Sequence, residues 1–289
     1  MIKKLAIFGV GLIGGSLALA LKQKQYCDEI VGCSRNSDHL KKAVELGVID
    51  SYCLDPEEAA KDADMIFLAT PLRAMQGVMN SIKDALAVDA IVTDAGSSKQ
   101  SVIESAIGAF GYVPQFFVPG HPIAGREKSG VSAALANLFV DHKVILTPVD
   151  STSELAISKV SQMWAATGAE VTQLDVEQHD LVLAATSHLP HVVAYSLVDT
   201  ISKADYVHEI FRFAAGGFRD SSRTASSDPV MWRDICLENR QAILDCVHSF
   251  QNNLEGLKNL IQNSDAQGLL EFFDNAKKIR DANVTKSSP

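Results

Sequence analysis

The segment Gly9-Val10-Gly11-Leu12-Ile13-Gly14 constrains this chain more than any other, because an apolar run, KLAIF, leads straight into it and a helical pattern, GGSLALALKQ, follows. A strand that ends in GxGxxG and opens a helix is the context in which that spacing has physical meaning. Gly9 permits the tight turn, Gly11 lets the backbone approach a pyrophosphate, and Gly14 lets helix and strand pack closely. The N–H groups near Leu12 and Ile13 then meet the anion at the positive end of the helix. A glycine-rich turn in some other α/β protein is the competing reading, so the rest of the chain has to decide.

The first half repeats the alternation: EIVGCS before SDHLKKAVELG, DMIFLAT before PLRAMQGVMNSIKDAL, and AIVTDAG before SKQSVIESAIGAF. Short apolar strands alternating with amphipathic helices imply a parallel sheet. Further strands are expected at QFFVPG and KVILTPV, then a helix over about 154–167 and a last strand at EVTQLD. Past residue 175 the pattern changes to long helical periodicities over 176–202, 229–262 and 266–281. The expected architecture is an α/β Rossmann-type nucleotide-binding domain over residues 1–173 followed by an all-α helical domain over 174–289. Asp228-Pro229 reads as a helix start, with Asp at the N-cap and Pro at the first helical position. Pro190 should bend the first long helix.

Composition narrows the partners. The chain has 289 residues, 47% of them hydrophobic and 21% charged, enough to bury a sizeable core. A formal net charge of −9 argues against a nucleic-acid partner, which needs a concentrated basic surface. The five cysteines, Cys27, Cys33, Cys53, Cys236 and Cys246, form no CxxC pair and cannot all be paired within the chain, which fits a reducing cytoplasm. No signal peptide is expected, nor any apolar run near the roughly 20 residues of a membrane span.

The end of the second strand bears on cofactor choice. An NAD-preferring site usually carries an acidic residue there to hold the ribose 2′-hydroxyl, but this strand ends Gly32-Cys33-Ser34-Arg35-Asn36. Ser34 can donate to a 2′-phosphate and Arg35 can lay its guanidinium against it, so NADP is expected to be preferred, with NAD possible.

Further stretches carry chemistry: Asp94-Ala95-Gly96-Ser97-Ser98-Lys99 at a strand end, GHPIAGREKSG over 120–130 with its own histidine, Ser187-His188-Leu189-Pro190-His191, and Gly216-Gly217-Phe218-Arg219-Asp220-Ser221-Ser222-Arg223, read as a glycine-opened loop. His188 and His191 have no third ligand at useful spacing, so no metal is expected. His188 reads as a core histidine.

Taken in order, GVGLIGGS, GHPIAGREKSG, SHLPH and GGFRDSSR…DPVMWRDI resemble the prephenate and arogenate dehydrogenases of tyrosine biosynthesis over nearly the whole chain. The resemblance implies an oxidative decarboxylation of prephenate, in which hydride passes to a nicotinamide, the ring carboxylate leaves as CO2, and the ring becomes aromatic. It implies that His121 takes the hydroxyl proton, a task suited to a neutral imidazole, and that Ser97 lies between nicotinamide and substrate hydroxyl. It assigns Arg223 to a substrate carboxylate, and His191, Glu127 and Asp180 to the lining or gating of the same cleft. Thr70-Pro71 should border the nicotinamide half. Arg126 departs from the pattern, where a small or hydroxyl residue is usual. A homodimer built through the helical half is implied, and L-tyrosine, if it inhibits, should do so at the active site.

Prephenate and arogenate differ by a keto group in place of an ammonium, and His191, as a cation near the substrate, favours prephenate. A β-hydroxyacid dehydrogenase would be expected to use a helix lysine, and the helix after residue 175 offers none before Lys203. A non-catalytic NAD(P) sensor is the alternative from outside enzymology.

Overall fold

A computed structural model describes residues 1–126 and 128–283. Strands β1 (Ile2–Phe8), β2 (Cys27–Cys33), β3 (Ser51–Cys53), β4 (Met65–Leu68), β5 (Ile91–Asp94) and β6 (Phe117–Val118) form one sheet in the order β3-β2-β1-β4-β5-β6, every pairing parallel. That is the doubly wound order of a dinucleotide-binding fold, and it reverses between β1 and β4. The last four residues of β1 and β2, and all of β4 and β5, are buried, as expected of strands covered on both faces.

The crossovers are α1 (Leu12–Gln23), α2 (Ser37–Glu45), α3 (Pro56–Ala60), α4 (Met75–Ile82) and α5 (Lys99–Phe110). Helix α6 (Glu154–Ala166) adds Trp164, which meets Phe67 and Phe139 edge-on with ring centroids 5.6 and 5.1 Å apart.

QFFVPG does not form one strand. Pro119 divides it, and the chain leaves β6 for a second sheet of β7 (Gly120–Pro122), β8 (Lys143–Leu146) and β9 (Glu170–Gln173). Lacking an N–H, Pro119 contributes only its carbonyl, which accepts from Thr147 N. This switch of sheets carries His121 past the end of β5.

Beyond β9 the chain is helical: α7 (Val176–Leu183), α8 (Leu189–Ser202), α9 (Val207–Arg212), α10 (Gly216–Ser222), α11 (Pro229–Glu238), α12 (Arg240–Gln262) and α13 (Ala266–Asn283). Between α7 and α8 the backbone widens into a π-turn over Ala184–His188. Pro190 has no N–H for the carbonyl of Thr186, and a wider turn just before it absorbs the mismatch. The expected loop at 216–223 is instead α10 followed by a 3-10 turn, Arg223–Ser226; its two glycines occupy the first turn, where the N–H groups have no intrahelical partner to lose. Asp228 caps α11 as expected, accepting from Met231 N.

The continuous helical stretch Val176–Ser202, 27 residues, is long and apolar enough by length and composition to cross a membrane, against the expectation of no such run. It nonetheless carries buried His179, Asp180 and His188.

By packing, the chain divides into Met1–Arg240 and a unit that begins at Gln241. In the second unit Ser264 takes a left-handed conformation (φ 52°) in the turn between α12 and α13, and Asp265 caps α13 by accepting from Gly268 N.

Candidate active site

The crevice beyond the carboxyl ends of β1 and β4 is shaped by its glycines. A Cβ on Gly9, whose φ is 97°, would meet Ala69 O at 2.4 Å, and one on Gly14 would meet Gly9 O at 2.2 Å. A Cβ on Gly11 would meet nothing within 4 Å. Two glycines thus permit close packing, while the third faces open space before the N-terminus of α1, which has no side-chain cap and no acidic residue in its first turn. The close approach at Gly9 also brings the turn against Thr70, whose Oγ1 is buried with no hydrogen-bond partner among the described residues. An open cradle, uncapped amides and an orphaned hydroxyl fit a dinucleotide's pyrophosphate and its neighbouring groups. Pro71 follows on the exposed side. At the end of β2, Ser34 Oγ shares a tight turn with Asn36, and Arg35 is exposed.

The end of β5 is built differently. Lys99, fully buried at the start of α5, donates to Asp94 Oδ2 at 2.5 Å and to Gly120 O at 2.6 Å. Asp94 accepts in addition from the backbone of Gly96 and Gly120. Burial pushes the Lys99 ammonium below its ordinary value against the pull of Asp94. This pair fastens β7 to β5 and fixes where the next residue, His121, stands.

From His121 a hydrogen-bonded series runs into the protein. Its Nδ1 lies 2.9 Å from His179 Nε2, and His179 Nδ1 lies 2.7 Å from Asp180 Oδ1. Asp180 also accepts from Lys99 N, Gln100 N and Ser98 Oγ, so its carboxylate closes the N-terminus of α5. Burial raises the Asp180 carboxyl, but His179 and the two backbone N–H groups outweigh it and hold the group below its usual range. Burial, joined by His179 and Lys99, drives His121 well below the ordinary imidazole value; burial lowers His179 too, against the opposing pull of Asp180. Both rings are neutral at pH 7.

Behind this series, Asn239 donates one N–H to Asp180 O and another to His188 Nδ1. His188 is buried with its pKa lowered to about 4 by burial, as a partnered core histidine. His191 stacks on Trp232, centroids 3.7 Å apart and 21° between planes, with Arg223 close enough to act on it electrostatically. Burial and Arg223 lower its pKa against the pull of the Ser187 carbonyl. At pH 7 His191 is therefore neutral, and the expectation of a cation there is corrected.

Ser97 stands half-buried between β5 and α5, on the loop that Lys99 and Asp94 brace. Arg126, Arg219 and Arg223 are exposed. Glu127 lies outside the described residues. Asp94 and Lys99 were noted from sequence only as the ends of a strand-end stretch, with no role, and His179 and Asn239 were not singled out. A signal existed for one of them: His179 directly precedes Asp180, and a ring beside a carboxylate is a common way to orient an imidazole.

A family model described as the nucleotide-binding domain of prephenate dehydrogenase matches residues 17–173, and one described as its dimerization domain matches 175–275. A cyclohexadienyl dehydrogenase of Zymomonas mobilis is 39% identical over 282 residues, 96% of this chain and 95% of that protein. The prephenate dehydrogenase of Bacillus subtilis is 37% identical over 275 residues, 94% of this chain and 74% of that one. Among solved structures, prephenate dehydrogenase from Aquifex aeolicus in complex with hydroxyphenyl propionate and NAD+ superposes with a TM-score of 0.90 at 36% identity, covering 98% of each chain.

Proposed function

The chain belongs to the prephenate dehydrogenase family, and on that premise we propose that it converts prephenate to 4-hydroxyphenylpyruvate by NAD(P)-dependent oxidative decarboxylation, a step of tyrosine biosynthesis. The observation that carries the reading is the neutral imidazole of His121, held at the end of β5 with its Nε2 free of hydrogen bonds among the described residues. His121 takes the substrate's hydroxyl proton at that nitrogen. When bound, the nicotinamide accepts hydride from the ring carbon that carried the hydroxyl, and loss of the ring carboxylate as CO2 leaves an aromatic product.

Gly9, Gly11, Leu12, Ile13 and Gly14 hold the pyrophosphate, while Thr70 and Pro71 border the nicotinamide half. Ser34 and Arg35 favour NADP over NAD, since Arg35 is an exposed cation at the strand end and that end carries no carboxylate. Ser97 stands between nicotinamide and hydroxyl. Arg223 takes a substrate carboxylate with His191 beside it, and the resemblance assigns Glu127 to lining or gating the cleft. The likeness to a dimerization domain supports a homodimer built through the helical part, which we begin at residue 174. Tyrosine, which shares the product's ring, would compete at this same site. The described cysteines are all free, which supports the cytoplasm.

The cyclohexadienyl dehydrogenase likeness favours arogenate as a second substrate. Growth of reduced-cofactor absorbance, measured with prephenate and arogenate in turn and with NADP and NAD in turn, tests the proposal. Prephenate with NADP should give the highest kcat/KM, and no turnover with either substrate would overturn the enzymatic reading.

A further inference from the structure

We propose that His179, itself held by Asp180, is a positioning residue that fixes the tautomer of His121. The proposal rests on the reading of His121 as the base, and it follows from the direction that hydrogen bonds must take along the series. Asp180, ionised, can only accept. His179 Nδ1, 2.7 Å away, must therefore carry the proton of that bond. A neutral imidazole has one N–H, so His179 Nε2 is left as an acceptor. The nitrogen 2.9 Å from it, His121 Nδ1, must then be the donor. His121 consequently has its one proton on Nδ1 and an open lone pair on Nε2, the form a base needs.

The carboxylate at the root cannot easily reverse this order. Asp180 is fixed by Lys99 N at 2.7 Å, Gln100 N at 3.0 Å and Ser98 Oγ at 3.1 Å, three donors that leave it no role as a donor of its own. His179 is fully buried, so water does not compete for its nitrogens. Its ring centroid is 5.1 Å from that of His121 with the planes tilted by 59°, an arrangement in which the two rings meet through nitrogens and not through stacked faces. Asp180, expected from sequence to line the cleft, thus acts through His179.

Glutamine and phenylalanine separate positioning from packing. In His179→Gln the amide oxygen can accept from His121 Nδ1 while the amide N–H donates to Asp180, which preserves the direction; His179→Phe fills the space and preserves neither bond. We expect His179→Phe to lower kcat by about 10- to 100-fold, by analogy with the loss of a partner that orients a metal-bound imidazole. The KM for prephenate should stay within about threefold, and His179→Gln should recover most of kcat. A folded Phe variant with wild-type kcat, or a folded Gln variant no better than Phe, overturns the proposal.

A readout independent of turnover is the nitrogen shifts of isotopically labelled histidine rings in the unliganded wild type. They should show Nδ1–H on both His121 and His179, and an Nε2–H tautomer on His121 overturns the proposal whatever the kinetics. If the tautomers are as expected while His121→Asn keeps full turnover, the positioning stands and the assignment of His121 as base falls.

Discussion

The polar cluster under His121 and the arginine-bearing segment around Arg223 are built in opposite ways. In the first, Asp94, Ser98, Lys99 and His179 are fully buried and each side chain has a named partner within the protein. In the second, Gly216, Gly217, Arg219, Arg223 and Ser226 are exposed, and the elements are short: a seven-residue helix and a single 3-10 turn. A buried charge without a partner costs several kcal/mol, so a cluster of this kind exists only if its geometry is complete before substrate arrives. An exposed guanidinium bears no such desolvation cost. On the proposed roles, the end that reacts is built in advance of substrate, whereas the segment that would hold the substrate lies at the surface.

The sharpest way to break this contrast is at the preorganised end. His121→Asn removes the proposed base while leaving the Lys99–Asp94 anchor intact, and a positioned base contributes about 10²- to 10⁴-fold in rate. We expect kcat to fall by about 10²-fold or more with cofactor affinity nearly unchanged, as measured by steady-state kinetics and cofactor titration. Near-normal turnover would mean that the buried array serves structure alone.

The two regions also differ in how far the sequence discloses them. The parallel sheet was legible because β1, β2, β4 and β5 are apolar runs next to helical periods and GxGxxG anchors the series; the short β3, Ser51–Cys53, was not among the expected strands and the strand order came from the structure. His121 and Arg223 were legible only through the resemblance of whole motifs. Lys99 was not, because a lysine at a helix start usually reaches solvent, and only the sheet switch at Pro119 brings the Gly120 carbonyl to its ammonium. The bond between His121 and His179 joins residues 58 apart and left no periodic trace. Within the single chain Arg223 is exposed, since α10 and the turn after it lie at the surface.

Arg223→Ala tests the exposed segment. Truncating one partner of a charge pair that becomes buried on binding costs upward of about 2 kcal/mol, or roughly 30-fold in kcat/KM. Most of the loss should appear in the KM for prephenate, and the melting temperature should hardly move. Arg223→Lys should recover part of it, since an ammonium keeps the charge without the bidentate fork. Arg219→Ala, on the same segment but without a comparable electrostatic link to His191, should change kcat/KM by less than about threefold. Equal losses at the two arginines would erase the distinction drawn for Arg223.

The mildest test concerns the end of β2, which resembles the arginine segment in being exposed. In Ser34→Asp a carboxylate would stand where a 2′-phosphate is expected, beside Arg35. Two unit charges about 4 Å apart in water interact by about 1 kcal/mol, a factor of about five against NADP. A hydrogen bond from the ribose 2′-hydroxyl to the new carboxylate adds about 1 kcal/mol in favour of NAD. The ratio of kcat/KM for NADP over NAD should therefore fall by roughly tenfold to thirtyfold, with kcat on the better cofactor unchanged, because the reacting end is untouched. Salt should weaken the repulsive half of the effect, since the Debye length is about 10 Å at 0.1 M ionic strength, whereas the loss in His121→Asn should be insensitive to salt. A wild type that already prefers NAD tenfold would show that Ser34 and Arg35 do not read the 2′ position. A Ser34→Asp ratio that holds at its wild-type value would show that the ribose lies out of reach of this turn.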